Sequence, residues 1–165
     1  MRCCHADFAM TEGSDRGFTV GMPTFTFGAG VLAEAGAHAR ELGLARVGLY
    51  TDARLVHGEH VATVRASLAQ EGVDVAVYDA VKIEPDDASF QDAARFAASG
   101  RFDGFVSVGG GSVIDTCKAA NLYSSHPADF MAYVNAPIGE GRRVPGAVKP
   151  HIACPMCRRD TSARA

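Results

Sequence analysis

From residue 31 onward the apolar positions switch back and forth between two periods. Leu32, Ala35, Ala39 and Leu42 recur at three- and four-residue steps, which predicts a helix over 31–42 with one buried face. Arg46–Tyr50 is short and apolar and predicts a strand ending at Thr51-Asp52. Helical spacing returns over 60–70, where Val61, Val64 and Leu68 share a side. Val73–Tyr78 reads as the next strand. Phe90, Ala93, Ala94 and Ala97 then stripe a helix running to about Ser99, with Asp86 or Asp87 as its N-cap. Gly104–Val108 is a further strand, followed by a helix from Ser112 to about Leu122. Ahead of this series, Thr24-Phe25-Thr26-Phe27 alternates hydroxyl and aromatic side chains and predicts a half-buried strand, broken by Gly28-Ala29-Gly30.

Strands alternating with helices of this length define an α/β chain. They predict a mostly parallel sheet with helices on both faces. Residues 1–22 show no sustained period and read as an irregular leading segment. The single domain is expected over 23–150. Its last part, Ser124–Pro150, carries four of the seven prolines, which predicts a short helix around Asp129–Val134 and then loops. Ile152-Ala153-Cys154 has the character of one more strand, at the start of a tail over 151–165.

Composition narrows the partners. The chain has 165 residues, 47% hydrophobic, with a net charge of −3, so it can bury a core and lacks the clustered positive charge that nucleic acid or an anionic membrane surface requires. No apolar run approaches the roughly 20 residues that span a bilayer. The first residues hold no apolar signal core, and Asp7, Glu12 and Asp15 argue against an acid-poor transit peptide. The cytoplasm is therefore the default expectation.

The most informative segment is Val106–Asp115, V-S-V-G-G-G-S-V-I-D. A strand delivers the chain to Gly109, Gly110 and Gly111, and a helix starts at once. Glycines lack the Cβ that would hold a diphosphate away from the main chain. The first helical turn offers unpaired N–H groups, and its dipole favours an anion. In a parallel sheet such a loop lies at the carboxyl edge, where these folds bind ligands. Ser112 is expected as the helix N-cap, with Asp115 three residues on in a capping-box arrangement. Asp115 therefore has two readings, helix cap or cofactor contact. Asp52 ends the strand Arg46–Tyr50 at the same edge, where a carboxylate accepts hydrogen bonds from a ribose hydroxyl or caps its own loop.

The run Val108–Asn121, V-G-G-G-S-V-I-D-T-C-K-A-A-N, resembles the signature of iron-containing alcohol dehydrogenases. The resemblance extends from about Phe25 to Pro155 and includes G-x-G-x-L, T-D after the second expected strand and V-K-I-E-P before the third helix. D-T-C-K-A-A-N-L-Y-S-S-H-P-A-D-F, with A-P-I-G at Ala136–Gly139, is similar to the hydroxyacid–oxoacid transhydrogenase branch of that family. The resemblance implies a Rossmann-like, dehydroquinate synthase-like first domain that binds NAD. It also implies a second, helical domain that binds iron(II) or another divalent metal. Asp52 would hold the adenosine ribose and favour NAD over NADP. Gly109, Gly110, Gly111 and Ser112 would cradle the pyrophosphate, Asp115 would organise that loop, and Glu84 would lie near the adenine. The substrate would be a small hydroxyacid or alcohol. In the branch, 4-hydroxybutyrate is oxidised while 2-oxoglutarate is reduced. Animal members of the branch are mitochondrial, which sets a second compartment beside the cytoplasmic default.

The tail departs from the family. After I-A-C-P it reads M-C-R-R-D-T-S-A-R-A where the family carries a Thr/Ser/Gly-rich loop. The expectation is an interrupted coding sequence that lacks the metal-binding helical domain, leaving a fragment without activity of its own and with an apolar face that favours homo-oligomers. No catalytic residue and no metal ligand is assigned. Cys154 and Cys157 form a C-x-x-C, but Cys3, Cys4 and His5 are the wrong partners for a zinc site. His57-Gly58-Glu59-His60 reads as a solvated helix end.

Overall fold

The computed structural model describes residues 23–156. Four strands form one sheet: β1 (Arg46–Tyr50), β2 (Asp74–Tyr78), β3 (Gly104–Gly109) and β4 (His151–Pro155). Their order is β2-β1-β3-β4 and every neighbouring pair is parallel. Between them run α1 (Ala35–Glu41, entered through a 3-10 turn at Val31–Glu34), α2 (Glu59–Gln70), α3 (Asp87–Ser99) and α4 (Gly111–Ser125).

The helices divide between the two faces of the sheet, because strand side chains alternate. Val47 and Leu49 of β1, with Val106 and Val108 of β3, pack on Ala39 of α1 and Val61, Val64 and Leu68 of α2. Tyr50 and Phe105 point the other way, onto Ala93 and Ala97 of α3 and Val113, Cys117 and Ala120 of α4. This is the layering expected of a Rossmann-like α/β fold. On the α1/α2 face the helices meet closely at Gly36. Its amide donates to Ser67 Oγ at 2.9 Å, and a Cβ there would stand 2.1 Å from the Ser67 carbonyl oxygen. On the other face the Tyr50 hydroxyl donates to the Ala93 carbonyl at 2.9 Å, which satisfies a phenol inside an aromatic cluster with Tyr78, Phe96 and Phe105. Burial raises the Tyr50 pKa far above the ordinary phenol value.

The expected N-cap of α3 forms. Asp86 accepts from the Ser89 amide at 2.8 Å, and Ser89 Oγ accepts from the Asp86 amide at 2.9 Å. Asn121 at the end of α4 exchanges two hydrogen bonds with the backbone of Lys149 and so aims the chain into β4. Asp129 caps a 3-10 turn at Phe130–Ala132, shorter than the helix expected there.

Two expectations are corrected. Thr24–Phe27 is not a strand, and Phe25 and Phe27 are 75% and 102% exposed. A strand is stable only against a partner, and among the described residues none pairs with this segment. The sheet also extends beyond residue 150: β4, continuous with the expected Ile152–Cys154 strand, belongs to the fold and not to a separate tail. Cys154 lies in it, buried, with its thiol pushed up to about 11 by that burial. Cys157 and the segment 1–22 lie outside the described residues.

Candidate functional site

The strand order creates a crevice. The chain leaves β1 toward α2 on one face, and leaves the adjacent β3 toward α4 on the other. Diverging connections at neighbouring strands open a gap at their carboxyl ends, the usual ligand position in such sheets. Here the gap is a cleft of about 560 Å³. Its polar lining is Asp52, Arg54, His60, Lys82 and Ser112, and its apolar lining includes Leu55, Val81, Ile83, Val113 and Met156, with Gly110 and Gly111 between.

Asp52 lies two residues beyond the end of β1. One carboxylate oxygen accepts from the amides of Arg54 and Leu55 at 2.9 and 3.0 Å, and the Arg54 Nε lies 4.0 Å from that same oxygen. The carboxylate therefore holds its own loop. Its second oxygen has no partner among the described residues, so cap and ligand acceptor are compatible roles.

The three glycines divide their work. Gly109 is buried at the end of β3, and a Cβ there would come within 2.5 Å of Val113 Cγ2. It lets α4 pack against the strand and does not line the cleft. Gly110 and Gly111 line the cleft, and a Cβ on either would meet nothing within 4 Å. That empty space fits a group pressed against the main chain. Gly110 is the N-cap of α4, in extended backbone, and its carbonyl accepts from Val113 and Ile114 at 3.1 Å each. The amides of Gly111 and Ser112 meet no acceptor among the described residues. They are the unpaired donors of a helix start, open to the cleft.

The capping box read from Ser112 and Asp115 does not form. The helix starts at Gly111, one residue earlier than expected, and Ser112 Oγ instead donates to the Ile83 carbonyl. Asp115 is exposed, 3.8 Å from Lys118 Nζ, and outside the cleft. Glu84 is exposed and also outside it. From V-K-I-E-P it is Val81, Lys82 and Ile83 that reach the cleft. None of these three, nor Arg54, is singled out by the sequence pattern, although V-K-I-E-P contains the three.

Among the described residues no group of three or more His, Cys, Asp or Glu side chains is placed to hold a metal ion, and no helix is long and apolar enough to cross a membrane. His60 stands on the exposed first turn of α2.

A parallel sheet with helices on both faces and a glycine-lined helix start at its crevice is a Rossmann-like α/β architecture, with the crevice where such sheets bind ligands. The chain belongs to the iron-containing alcohol dehydrogenase family, whose model matches residues 23–157. It is similar to the mitochondrial hydroxyacid-oxoacid transhydrogenases of Bos taurus and Homo sapiens, 50% and 45% identical over 143 residues. Those matches cover 86% of this chain and 31% of each relative, so the chain spans under a third of their length. Among solved structures, 1,3-propanediol oxidoreductase superposes with a TM-score of 0.68 at 25% identity, covering 76% of this chain and 32% of that one. The fold is shared with NADH-dependent butanol dehydrogenase A of Thermotoga maritima, TM-score 0.72 at 21% identity, over 83% and 34%. It is shared too with sulfoacetaldehyde reductase of Bifidobacterium kashiwanohense in complex with NAD+, TM-score 0.67 at 22% identity, over 78% and 32%.

Proposed function

We propose that this chain is the nucleotide-gripping part of an NAD-dependent, metal-dependent oxidoreductase that acts on a small hydroxyacid. The reading follows the transhydrogenase relatives, with 4-hydroxybutyrate as hydride donor and 2-oxoglutarate as acceptor. The observation that carries it is the pair of open amides at Gly111 and Ser112, facing a cleft that Asp52 enters from the other side of the strand crossover. When bound, NAD supplies the hydride-carrying ring. The residues of this chain bind and orient it. The Gly111 and Ser112 amides donate to the diphosphate, and the absent side chains of Gly110 and Gly111 admit it. The free oxygen of Asp52 accepts from the adenosine ribose, and Val81, Ile83 and Val113 exclude water. Asp115 and Glu84 are given no contact in this reading, and Gly109 acts through packing.

Every assigned residue grips nucleotide. The proposal therefore gives the 165-residue polypeptide binding without turnover, and leaves metal chemistry to residues outside those described. The relatives are named mitochondrial, and the proposal takes that compartment over the cytoplasmic default. The exposed Phe25 and Phe27 support the expectation of a homo-oligomer.

Isothermal titration of the chain with NAD and with ADP-ribose tests the reading. Both should bind in the micromolar range or more weakly, without added metal. Gly111→Val, which fills the cradle from an exposed first-turn position, should abolish binding and leave the thermal transition in place. Equal binding by the variant would place the ligand elsewhere.

A further inference from the structure

The open amides at the start of α4 carry only the partial charge of a helix terminus. Ser112 adds no hydroxyl donor to an anion there, because its Oγ is committed to the Ile83 carbonyl. A dinucleotide's diphosphate is fully ionised at neutral pH, so a basic side chain beside the cradle adds a charge-assisted contact to those of the amides. Three basic residues line the cleft: Arg54, His60 and Lys82. Arg54 stands 4.0 Å from the Asp52 carboxylate, on the β1 side that the ribose is assigned to. His60 is on the first turn of α2, also reached from β1. Lys82 precedes Ile83 in the chain, and Ile83 is the residue that Ser112 ties to the first turn of α4. The backbone thus brings the segment that carries Lys82 to the start of α4, and Lys82 lines the same cleft as Gly110 and Gly111. Its present partner is Asp86 Oδ2 at 2.7 Å, and both side chains are 55% exposed. A pair so exposed is weak and exchanges readily. Asp86 keeps its bonds to Ser89 when the lysine leaves.

We propose that Lys82 is the counter-ion of the diphosphate, leaving Asp86 to close on a ligand held by the Gly111 and Ser112 amides. The inference rests on the nucleotide reading of the cleft and deepens it. Lys82 binds ligand directly and Asp86 acts through it, as the competitor for its charge.

Titration of the full chain with ADP, and with adenosine as the uncharged probe, separates the two ideas. Lys82→Gln should weaken ADP about tenfold, as expected for loss of a charge-assisted contact. It should leave adenosine unchanged and flatten the salt dependence of ADP binding. Asp86→Asn keeps an N-cap acceptor, frees the lysine and should tighten ADP severalfold. Wild-type binding of ADP with no change in Lys82→Gln overturns this inference and leaves the nucleotide reading standing. Equal weakening of ADP and adenosine also overturns it, because it marks a structural role. Failure of the wild-type chain to bind ADP removes both.

Discussion

The Thr51 hydroxyl donates to the Val108 carbonyl across 3.0 Å, with Thr51 completely buried. The bond joins the carboxyl ends of β1 and β3 just below the point where their connections part. Thr51 also donates its amide to the Tyr78 carbonyl at 2.9 Å, so one residue links the ends of three strands. Thr51→Val removes the hydroxyl at nearly constant volume and leaves a buried carbonyl short of a partner. The expected loss is about 1–2 kcal/mol in urea unfolding, with weaker ADP binding as the two edges separate. Unchanged stability would mean that another group satisfies Val108.

Gly109 and Gly110 are neighbours with different constraints, and alanine separates them. Gly109→Ala drives a Cβ into Val113 and should cost roughly 1–3 kcal/mol of stability, as overpacking does. Gly110→Ala places its methyl in open space at a φ of −77° that any residue adopts. Its stability should stay within about 0.5 kcal/mol of wild type, while NAD affinity falls. Paired denaturation and titration curves check both halves. The opposite pattern would exchange the roles given to the two glycines.

Asp52 holds its own loop, and the proposed function gives it ligand choice as well. Asp52→Asn keeps an oxygen for the Arg54 and Leu55 amides and removes the charge. The variant should fold normally and bind ADP a few-fold more weakly. It should also reject 2′,5′-ADP less strongly than wild type does, because a carboxylate beside the ribose repels a 2′-phosphate. The ratio of the two affinities is the readout. A ratio that does not move removes Asp52 as the discriminator.

His151 opens β4 with its ring Nε2 2.8 Å from the buried Ser107 hydroxyl. Burial, and then Lys118, hold its pKa down at about 4 against an ordinary 6.5. The unfolded chain therefore takes up a proton between these values that the folded chain refuses. The stability tied to a neutral His151 is fully present above pH 6.5, falls as pH drops through that window, and is gone below about 4. The loss is on the order of 3 kcal/mol. Urea unfolding from pH 7 to pH 4 should show this slope, and His151→Gln should flatten it.

The alternation of periods made the sheet and its helices legible, because each buried stripe, such as Val61, Val64 and Leu68, lies within one element. That Gly110, Gly111 and Asp52 lie at one edge of the sheet was legible for the same reason: each lies within two residues of the end of a strand that the pattern marks. Thr24–Phe27 misled because alternation states that a segment suits a sheet without supplying the neighbour that makes it a strand. Ser112 misled because a helix start is fixed by which carbonyl accepts first. That carbonyl is Gly110, a residue without side-chain signal. Lys82 was hidden by a long-range fact, the Ser112–Ile83 contact, which brings the loop after β2 to a helix after β3. No local pattern encodes that approach.

The strand order has a consequence for assembly. Asp52 follows β1 and the cradle follows β3, and the chain must travel out through β2 and return across the sheet before the two meet. No partially folded stretch of sequence contains both, so a nucleotide bound as proposed engages only the finished crossover. It then acts as a rivet between the early and late parts of the polypeptide, stabilising the native state by mass action in proportion to how far it saturates it.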